Sequence, residues 1–189
     1  MSLKNISIHD TAIVASNTIG RDTRIWAFVN ILKGAVIGEN CNICGHCFIE
    51  DEVVIGNNVT LKCGIYVWNG VTIEDDVFLG PNVVFTNNIR PRSKQYKPLS
   101  LTLISKGASI GANSTILSGI TIGKYAMTGI ASVVTRSIPD YALVYGNPAK
   151  FKGWIDEEGQ NLIHEKEGLW RSNSNKYFEE VNGILKPKI

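Results

Sequence analysis

The side chains that could carry acid–base chemistry are few and widely spaced. The chain has three histidines, His9, His46 and His164. Histidine is the usual general base near neutral pH, because its own pKa lies close to neutrality. His9 lies near the start of the chain and His164 near its end, so neither is expected beside a central site. No Ser or Cys has a convincing base next to it, which argues against covalent catalysis.

The cysteines could suggest a metal site, but a second interpretation fits them better. Cys41, Cys44 and Cys47 form a Cys-x-x-Cys-x-x-Cys run, and Cys63 follows later. Cys41 and Cys47 also occupy the small apolar position of a six-residue repeat, where side chains should face inward. A free cysteine behaves as a small hydrophobic residue in such places. We therefore expect no metal and no disulfide.

Two asparagines and a basic cluster are better candidates for chemistry. Asn69 and Asn87 are 18 residues apart, and Arg90, Arg92 and Lys94 follow closely. An amide oxygen can accept a hydrogen bond from an amine and orient it, and such positioning lowers a reaction barrier without a proton-transfer group. Guanidinium groups bind phosphate bidentately. Asparagine is also a common turn residue, so a structural role for both amides stays open.

A repeat of six residues organises the chain that must position these groups. An aliphatic or aromatic residue stands at every sixth position from Ile13 to Phe85, and a second phase runs from Ile104 to Val134. Neither an α-helix nor a flat alternating strand has this period, so the repeat itself predicts the fold. The first-phase residues are Ile13, Ile19, Ile25, Ile31, Ile37, Ile43, Ile49, Ile55, Leu61, Val67, Ile73, Leu79 and Phe85.

The other positions of the repeat predict short strands joined by tight turns. The fifth position is small or β-branched, as at Ala35 and Val53. The fourth position favours residues that tolerate a left-handed backbone; it includes Asp22, Gly34, Asn40, Gly64, Gly70, Asp76, Asn82 and Asn88. Three such sides would close one triangular coil, so residues 18 apart would stack at the strand spacing of about 4.8 Å. We predict an all-β prism in which Asn69 and Asn87 lie one above the other.

Two segments interrupt or end the repeat. The pattern disappears at about residues 89–103, where prolines and basic residues predict an extruded loop. The prism itself is expected over residues 1–150. Residues 151–189 are expected to form a tail that covers its open end, with a short helix near 156–167 or a turn or hairpin around 177–184.

Length, charge and hydropathy exclude several classes of protein. A chain of 189 residues fits one domain with a small appendage. The net charge of +2 with scattered Lys and Arg gives no support for nucleic-acid binding. No apolar stretch approaches the roughly 18 residues that would span a bilayer, and no secretory segment follows the first residues. We expect a soluble, cytoplasmic protein without a membrane partner.

The hexads resemble those of the bacterial hexapeptide-repeat acyltransferases. The segment Gly-Asn-Pro-Ala-Lys at 146–150 resembles a segment of the same family. More narrowly, the block from Trp68 to Asn87 and the segment Pro91–Tyr96 resemble the nucleotide-sugar 3-N-acetyltransferases, as do residues 107–113. This resemblance implies a left-handed parallel β-helix, acetyl-CoA as donor and a nucleotide-linked amino sugar as acceptor. It also implies a homotrimer whose active sites lie between neighbouring prisms.

With the substrates that the resemblance implies, the stacking of Asn69 and Asn87 and the basic loop suggest roles for individual residues. Asn87 would accept a hydrogen bond from the sugar 3-amine, and Asn69 would orient the substrate or contact a sugar hydroxyl. Several members carry an acidic residue where Asn69 stands, and an amide cannot replace it as a base. The acceptor would be bound by Arg90, Arg92, Lys94, Tyr96 and Trp68. The donor would be bound mostly through backbone groups of Gly111, Ala112, Gly129 and Ile130, with Lys150 near the CoA phosphates.

Alternatives remain at this point. The acceptor could be a dTDP-3-amino-3,6-dideoxyhexose, which we favour, or UDP-2-acetamido-3-amino-2,3-dideoxyglucuronate. The carboxylates of Glu74, Asp75 and Asp76 could supply a base, although their turn position favours a structural role. A zinc enzyme on the same prism would need three converging histidines, and these lie too far apart. A non-catalytic assembly protein would not need the basic loop.

Overall fold

The computed structural model describes residues 5–188 as a stack of short strands followed by a small sheet. The strands in chain order are β1 (Ser7–Ile8), β2 (Ile13–Val14), β3 (Thr18–Ile19), β4 (Arg24–Ile25), β5 (Asn30–Ile31), β6 (Val36–Ile37), β7 (Asn42–Ile43), β8 (Phe48–Ile49), β9 (Val54–Ile55), β10 (Thr60–Leu61), β11 (Tyr66–Val67), β12 (Val71–Ile73), β13 (Phe78–Leu79), β14 (Val84–Phe85), β15 (Thr102–Ile104), β16 (Ser109–Ile110), β17 (Thr115–Ile116), β18 (Thr121–Ile122), β19 (Met127–Thr128), β20 (Val133–Val134), β21 (Ala142–Tyr145), β22 (Lys150–Trp154), β23 (Ile163–Lys166), β24 (Leu169–Arg171), β25 (Tyr177–Val181) and β26 (Ile184–Pro187).

Three sheets form the faces of the prism. Face A contains β1, β4, β7, β10, β13, β16, β19, β21 and β22, in that order. Face B contains β2, β5, β8, β11, β14, β17 and β20, and face C contains β3, β6, β9, β12, β15 and β18. From β1 to β21, consecutive strands along the chain belong to different faces, so the coils visit A, B and C in turn. The predicted parallel β-helix of hexapeptide repeats is confirmed.

The 18-residue register is the one that the repeat predicts. Ile31 pairs with Ile49, and Ile49 pairs with Val67, in parallel strands of face B. The first-position side chains from Ile19 to Phe85 are buried, and so are those of the second phase. Each inward side chain therefore packs on a similar one in the next coil, which excludes water from the whole interior.

The first coil departs from the predicted phase. Ile13 is 67% exposed and pairs with the outward-facing Asn30. Val14 pairs with Ile31 and takes the inward position instead. The side from Val14 to Ile19 is one residue shorter than the others, and Ser16 closes it by donating its hydroxyl hydrogen to the Ala35 carbonyl, 2.6 Å away. The assignment of Ile13 to the core was therefore wrong by one residue.

The fourth position adopts the left-handed backbone in most coils. Gly34 does not share it, and neither does Asn88, where the chain leaves the prism. Phe, His, Tyr and Ala, which are outside the predicted residue types, also adopt a positive φ at this position. The fourth-position residues with positive φ are Asp22, Phe28, Asn40, His46, Asn58, Gly64, Gly70, Asp76, Asn82, Gly107, Asn113, Gly119, Tyr125 and Ala131.

The loop leaves and re-enters the prism without disturbing the stack. Across it the parallel pairing joins residues 31 apart, as in Phe78 and Ser109, instead of 18. The strand β15 begins at Thr102, so the loop ends slightly earlier than the predicted residue 103. Leu99 lies over Gly70, where an added Cβ would stand 3.4 Å from the Leu99 Cβ. The returning half of the loop thus rests on the prism.

The tail is a sheet, and the helix predicted near 156–167 is wrong. The strands β23, β24, β25 and β26 pair antiparallel in sequence order. Left-handed residues at Gly159, Gly168 and Gly183 turn the chain at short intervals, which favours hairpins over a helix. Phe178 and Leu185 are buried with the prism core, and Tyr141 packs against Phe178. Among residues 5–188 there is no helix that is long and apolar enough to cross a membrane.

Candidate active site

The three edges of the prism differ in how their outward backbone N–H groups are satisfied. We name each edge by the faces that it joins: A–B, B–C and C–A. On the C–A edge, side-chain oxygens of one coil accept hydrogen bonds from the coil before. Asn57 Oδ1 accepts from Glu39 N–H at 2.8 Å, and Asp75 Oδ1 accepts from Asn57 N–H at 2.7 Å. Most outward N–H groups of this edge therefore bond to a side chain of a neighbouring coil.

The acidic cluster at residues 74–76 belongs to that structural system. Glu74 accepts a hydrogen bond from Lys106 N–H at 2.8 Å. Asp76 accepts one from the Asn58 side chain at 2.9 Å and lies 3.3 Å from the Lys106 ammonium. Their oxygens are occupied by the coils above and below. These contacts favour the structural interpretation of the cluster over a catalytic base.

Asn69 and Asn87 lie at the B–C edge in neighbouring coils, because β11 pairs with β14 in the 18-residue register. Their environments differ. Asn69 is half-buried, and its Oδ1 accepts a hydrogen bond from Glu52 N–H at 2.9 Å. Glu50 in turn accepts one from Asn69 N–H at 2.7 Å. Asn69 therefore ties two coils together, as Asn57 does on the C–A edge.

Asn87 is exposed and has no hydrogen-bond partner within residues 5–188. It stands at the point where the chain leaves the prism, one residue before Asn88, whose Oδ1 accepts a hydrogen bond from Arg90 N–H at 2.9 Å. An exposed amide fixed on a rigid edge can offer its oxygen to a ligand without first breaking a protein contact. The exposed Asn82 and Asn113 amides of the A–B edge also lack side-chain partners, so it is the position beside the loop that distinguishes Asn87.

The loop carries cations that have no ion pair in the described part of the chain. Arg90, Arg92 and Lys94 are exposed, and Arg92 donates only to the neighbouring Pro91 carbonyl. Tyr96 is 90% exposed. These side chains project from the B–C edge beside Asn87. Free guanidinium groups in such a position can bind an anion such as phosphate.

Trp68 packs on face B. Its indole N–H donates to the Phe85 carbonyl at 2.9 Å, and its ring lies 5.7 Å from the Phe48 ring and 5.9 Å from the Tyr66 ring. The side chain is half-buried. Packing therefore accounts for most of its surface, although one side of the ring borders an open groove.

Backbone N–H groups remain open on the A–B edge, as they do at Lys33 and Asp75 on the other two edges. The N–H groups of Gly111 and Gly129 are used by the coil ladder, bonding to Thr128 and Val144 carbonyls. Those of the next residues, Ala112 and Ile130, have no partner within residues 5–188. They stand 18 residues apart on one edge and could donate to a row of carbonyl oxygens on an extended ligand.

Lys150 lies above that edge, at the end of the prism. Ala149 N–H and the Gly146 carbonyl both bond to Val133, which holds the 146–150 segment on the last coil. Lys150 lines a cavity of about 500 Å³ between this coil and the tail, together with Arg136 and Trp154. Two cations at the mouth of a cavity are suited to a phosphorylated group.

The remaining chemically capable side chains do not form a site. His46 stacks on Phe28 with ring centroids 5.0 Å apart, and His164 packs edge-on against Trp170. Burial raises the pKa of Cys41, and it raises the pKa of Cys47 to about 12, so both stay protonated thiols near neutral pH. Across residues 5–188, no three His, Cys, Asp or Glu side chains converge as a metal site.

Sequence reasoning missed Ser118. It is 1% exposed and lies in the coil after Asn87 on the B–C edge, where its N–H donates to Thr86 Oγ1 at 2.8 Å. Its hydroxyl is the buried side-chain oxygen that lacks a partner among the described residues. A serine in such a repeat carries no sequence signal of this kind, because the absence of a partner depends on how the loop folds back.

The family comparison matches the repeat. Residues 18–51 and 52–87 match the family described as bacterial transferase hexapeptide (six repeats). Residues 103–127 match the hexapeptide repeat of succinyl-transferase. The interval between the matches contains the loop, as expected for an insertion between coils.

Two relatives are similar over most of the prism. The chain is 65% identical, over 149 residues, to the dTDP-3-amino-3,6-dideoxy-alpha-D-galactopyranose 3-N-acetyltransferase of Aneurinibacillus thermoaerophilus, covering 78% of each chain. It is 32% identical to the galactoside O-acetyltransferase of Lactococcus lactis, covering 64% of this chain and 63% of that one.

Two solved structures share the architecture. The UDP-N-acetylglucosamine acyltransferase of Francisella novicida superposes with a TM-score of 0.57 at 19% identity, over 83% of this chain and 71% of that one. A hexapeptide-repeat acetyltransferase of Vibrio cholerae, complexed with acetyl coenzyme A, superposes with a TM-score of 0.51 at 27% identity, over 59% and 64%. The first likeness concerns the fold alone.

The hydrogen bond from Glu52 N–H to Asn69 predicts how Asn69 responds to substitution. We expect Asn69→Ala to lower the free energy of unfolding by about 1 kcal/mol, because it leaves a backbone donor without its acceptor. Asn69→Asp keeps an acceptor oxygen and should stay close to wild type. Urea unfolding of both variants and of Asn57→Ala, which removes the equivalent contact, is the measurement. An Asn69→Ala protein as stable as wild type would contradict this role.

Proposed function

The chain belongs to the bacterial hexapeptide-repeat transferases, and on that basis we propose that it is an acetyl-CoA-dependent nucleotide-sugar N-acetyltransferase. It transfers an acetyl group to the 3-amino group of a dTDP-3-amino-3,6-dideoxyhexose. The observation that carries this proposal is the 65% identity to a 3-N-acetyltransferase of that class over 78% of both chains. The acetyl-CoA complex of the Vibrio cholerae relative supports the donor.

The reaction is direct attack within a complex of both substrates. The unprotonated 3-amine attacks the thioester carbonyl carbon, the C–S bond breaks, and CoA leaves as a thiolate. The amine proton passes to solvent or to that thiolate. No residue is needed as a covalent nucleophile, which agrees with the protonated state of the buried Cys41 and Cys47 thiols.

Asn87 aligns the amine. Its Oδ1 accepts one N–H hydrogen of the sugar 3-amine, so that the nitrogen lone pair points at the thioester carbon. Orientation of two bound reactants accounts for a large part of a bimolecular barrier. Asn69 supports this arrangement from the coil before. Its Oδ1 is used by Glu52, while its side-chain N–H₂ remains available to a sugar hydroxyl.

The loop cations bind the diphosphate of the acceptor. Arg90, Arg92 and Lys94 have no acidic partner in the described part of the chain and project from the same edge as Asn87. Tyr96 at the loop tip and Trp68 at its base contact the nucleotide or pack the loop around it. The loop thus closes on a ligand that lies beside the B–C edge.

The A–B edge binds the donor. The open N–H groups of Ala112 and Ile130 donate to the amide carbonyls of the pantetheine arm. Gly111 and Gly129 let the coils stack closely behind these donors, because a Cβ at Gly111 would lie 2.6 Å from the Gly129 carbonyl carbon and one at Gly129 would lie 2.7 Å from the Tyr145 Cβ. Lys150 contacts the CoA phosphates. Such an edge is well suited to a long, flexible ligand, because backbone donors are fixed in space.

The positions of the two edges support a homotrimer. Asn87 lies at the far end of face B from Ala112 and Ile130, and about five extended residues separate the edges, a distance of about 16 Å. A thioester bound along one edge cannot reach the asparagine of the other on the same coil. We infer that the A–B edge of one copy meets the B–C edge of its neighbour, and threefold symmetry closes this contact.

The product is a nucleotide-activated acetamido sugar, which we place in bacterial surface-glycan synthesis, including the O-antigen of lipopolysaccharide. Both substrates are metabolites of the cytoplasm, which supports a cytoplasmic enzyme. The direct test is acetylation of dTDP-3-amino-3,6-dideoxygalactose by the purified protein with acetyl-CoA, followed by mass spectrometry of the product. A protein that binds acetyl-CoA but acetylates only the UDP-linked 2-acetamido-3-amino glucuronate would overturn the dTDP assignment.

Loss of the Asn87 amide should reduce turnover without unfolding the protein. We expect Asn87→Ala to lower kcat by about 100-fold, because the amine loses its orienting acceptor. The melting temperature should not change, since Asn87 makes no hydrogen bond within residues 5–188. Asn173→Ala, which removes an exposed asparagine of the tail, is the control. An unchanged kcat for Asn87→Ala would remove Asn87 from the site.

Loss of the loop guanidinium groups should affect the acceptor more than the donor. We expect Arg90→Ala and Arg92→Ala each to raise the KM for the nucleotide sugar by about tenfold, the effect of one charge-assisted hydrogen bond. The KM for acetyl-CoA should change little. Arg24→Ala on the exposed surface of face A serves as the matched control. A larger effect on the KM for acetyl-CoA would assign the loop to the donor.

A further inference from the structure

The hydroxyl of Ser118 is a buried polar group that the proposed mechanism does not use. The residue is 1% exposed, and its Oγ atom has no hydrogen-bond partner within residues 5–188. A buried hydroxyl without a partner costs free energy, so native structures keep few of them. By contrast, the buried Ser16 donates its hydroxyl hydrogen to the Ala35 carbonyl at 2.6 Å. The exception at Ser118 therefore calls for a physical reason.

Ser118 stacks on Asn87 in the next coil. The strands β14 and β17 pair with Phe85 opposite Ile116, and Asn87 and Ser118 each lie two residues beyond that pair. Paired coils are one strand spacing apart, about 4.8 Å. The contact between these two coils continues past the strands, because Ser118 N–H donates to Thr86 Oγ1 at 2.8 Å. The unpartnered hydroxyl and the unpartnered amide are therefore neighbours.

Both side chains lack the contact that their position makes earlier on the B–C edge. Asn69 Oδ1 accepts Glu52 N–H from the coil before at 2.9 Å, and Asp51 makes the same kind of bond one coil earlier, also at 2.9 Å. Asn87 and Ser118 are the next two residues of that column, and within the described chain neither side chain accepts such an N–H. The loop leaves the prism directly after Asn87, so the column loses its structural role at this point.

The C–A edge shows that an asparagine amide can bond to the side chain stacked above it. Asn40 donates its side-chain N–H to Asn58 Oδ1 at 2.9 Å, and Asn58 donates in the same way to Asp76 Oδ1 at 2.9 Å. Each bond joins an amide to a side-chain oxygen at the equivalent position of the next coil. Asn87 and Ser118 have this relation across the loop. The Asn87 amide can therefore reach Ser118 Oγ by a rotation of its side chain.

We propose that Ser118 is a positioning residue for Asn87, an inference that rests on the proposed function. Its Oγ accepts a hydrogen bond from the Asn87 side-chain N–H₂, and this bond holds the amide oxygen toward the sugar 3-amine. The amine must keep its lone pair for the thioester carbon, so it meets the amide only as a donor. Asn87 then presents Oδ1 to the amine and N–H₂ to Ser118, and each end of the amide has one partner.

An exposed amide needs such a partner to orient a substrate. The end of the Asn87 side chain can rotate, and rotation exchanges its oxygen and nitrogen. Ser118 lies on a coil that is paired on both sides, since β17 bonds to β14 and to β20. A hydrogen bond to this fixed hydroxyl holds the amide in one orientation, so that binding of the amine has less to order. Burial of Ser118 also excludes solvent and a neighbouring copy as its partner.

Ser118→Ala provides the first test, because turnover and stability should not fall together. We expect kcat to fall about fivefold, the effect of one neutral hydrogen bond, while the KM values of both substrates stay near those of the wild type. The melting temperature should stay equal or rise, since the substitution removes a buried hydroxyl that has no partner. Ser16→Ala is the matched control: it removes a buried hydroxyl that has a partner, so the melting temperature should fall and kcat should not change.

A double-mutant cycle tests whether Ser118 acts through Asn87. In an Asn87→Ala background, Ser118→Ala should cause no further loss of kcat, because the amide that the hydroxyl holds is absent. A loss that multiplies with that of Asn87→Ala would show that the hydroxyl acts on another group and would overturn the inference. The returning loop is the nearest such group, since a Cβ added at Gly119 would stand 3.3 Å from the Ser100 Cβ.

The outcomes separate failure of this inference from failure of the proposed function. If the wild type acetylates the dTDP amino sugar and Ser118→Ala keeps the wild-type kcat, only the role of Ser118 is wrong. If Ser118→Ala lowers kcat and the melting temperature together, the hydroxyl is structural and the inference fails. If the wild type acetylates no nucleotide amino sugar, the proposed function is wrong and the role of Ser118 falls with it.

Discussion

The vertical pairing of one coil with the next is the constraint from which the other properties of this protein follow. Each strand of two or three residues is too short to be stable alone, but it bonds to equivalent strands above and below. Inward side chains of matching size then stack into a continuous core. The position of a functional group is therefore set by the edge and the coil on which it lies, and both are rigid.

The edges share one geometry and differ in chemistry. Side-chain oxygens accept several of the outward N–H groups of the C–A edge, and Asn69 accepts one on the B–C edge. Above that point Asn87 is unpaired within residues 5–188, and the A–B edge leaves the Ala112 and Ile130 N–H groups open. The Asn87 amide and these two N–H groups are therefore available to a ligand. Unsatisfied groups on a rigid frame are preorganised for a ligand.

The repeat was readable from sequence because each position of the hexad is under a separate steric demand. The inward, corner and turn residues all predict the same fold. The prediction for Ile13 was wrong because one side of the first coil is a residue shorter than the others. The site was harder to predict. The 18-residue spacing predicts that Asn69 and Asn87 lie in neighbouring coils. It does not show that Asn69 accepts a hydrogen bond from Glu52 N–H, or that Asn87 has no hydrogen-bond partner in the described chain. The helix predicted in the tail was wrong because the left-handed residues Gly159 and Gly168 favour hairpins there. The tail has no sequence repeat that would have indicated those turns.

The loop changes the pairing distance from 18 to 31 residues, and the difference is not a multiple of six. Its length is therefore uncoupled from the periodicity of the prism, and lengthening or shortening it costs little beyond chain entropy. The loop can therefore be replaced during evolution while the prism stays the same. Relatives that handle other activated sugars would be expected to diverge in this excursion first, and grafting it between homologues is a natural route to altered selectivity.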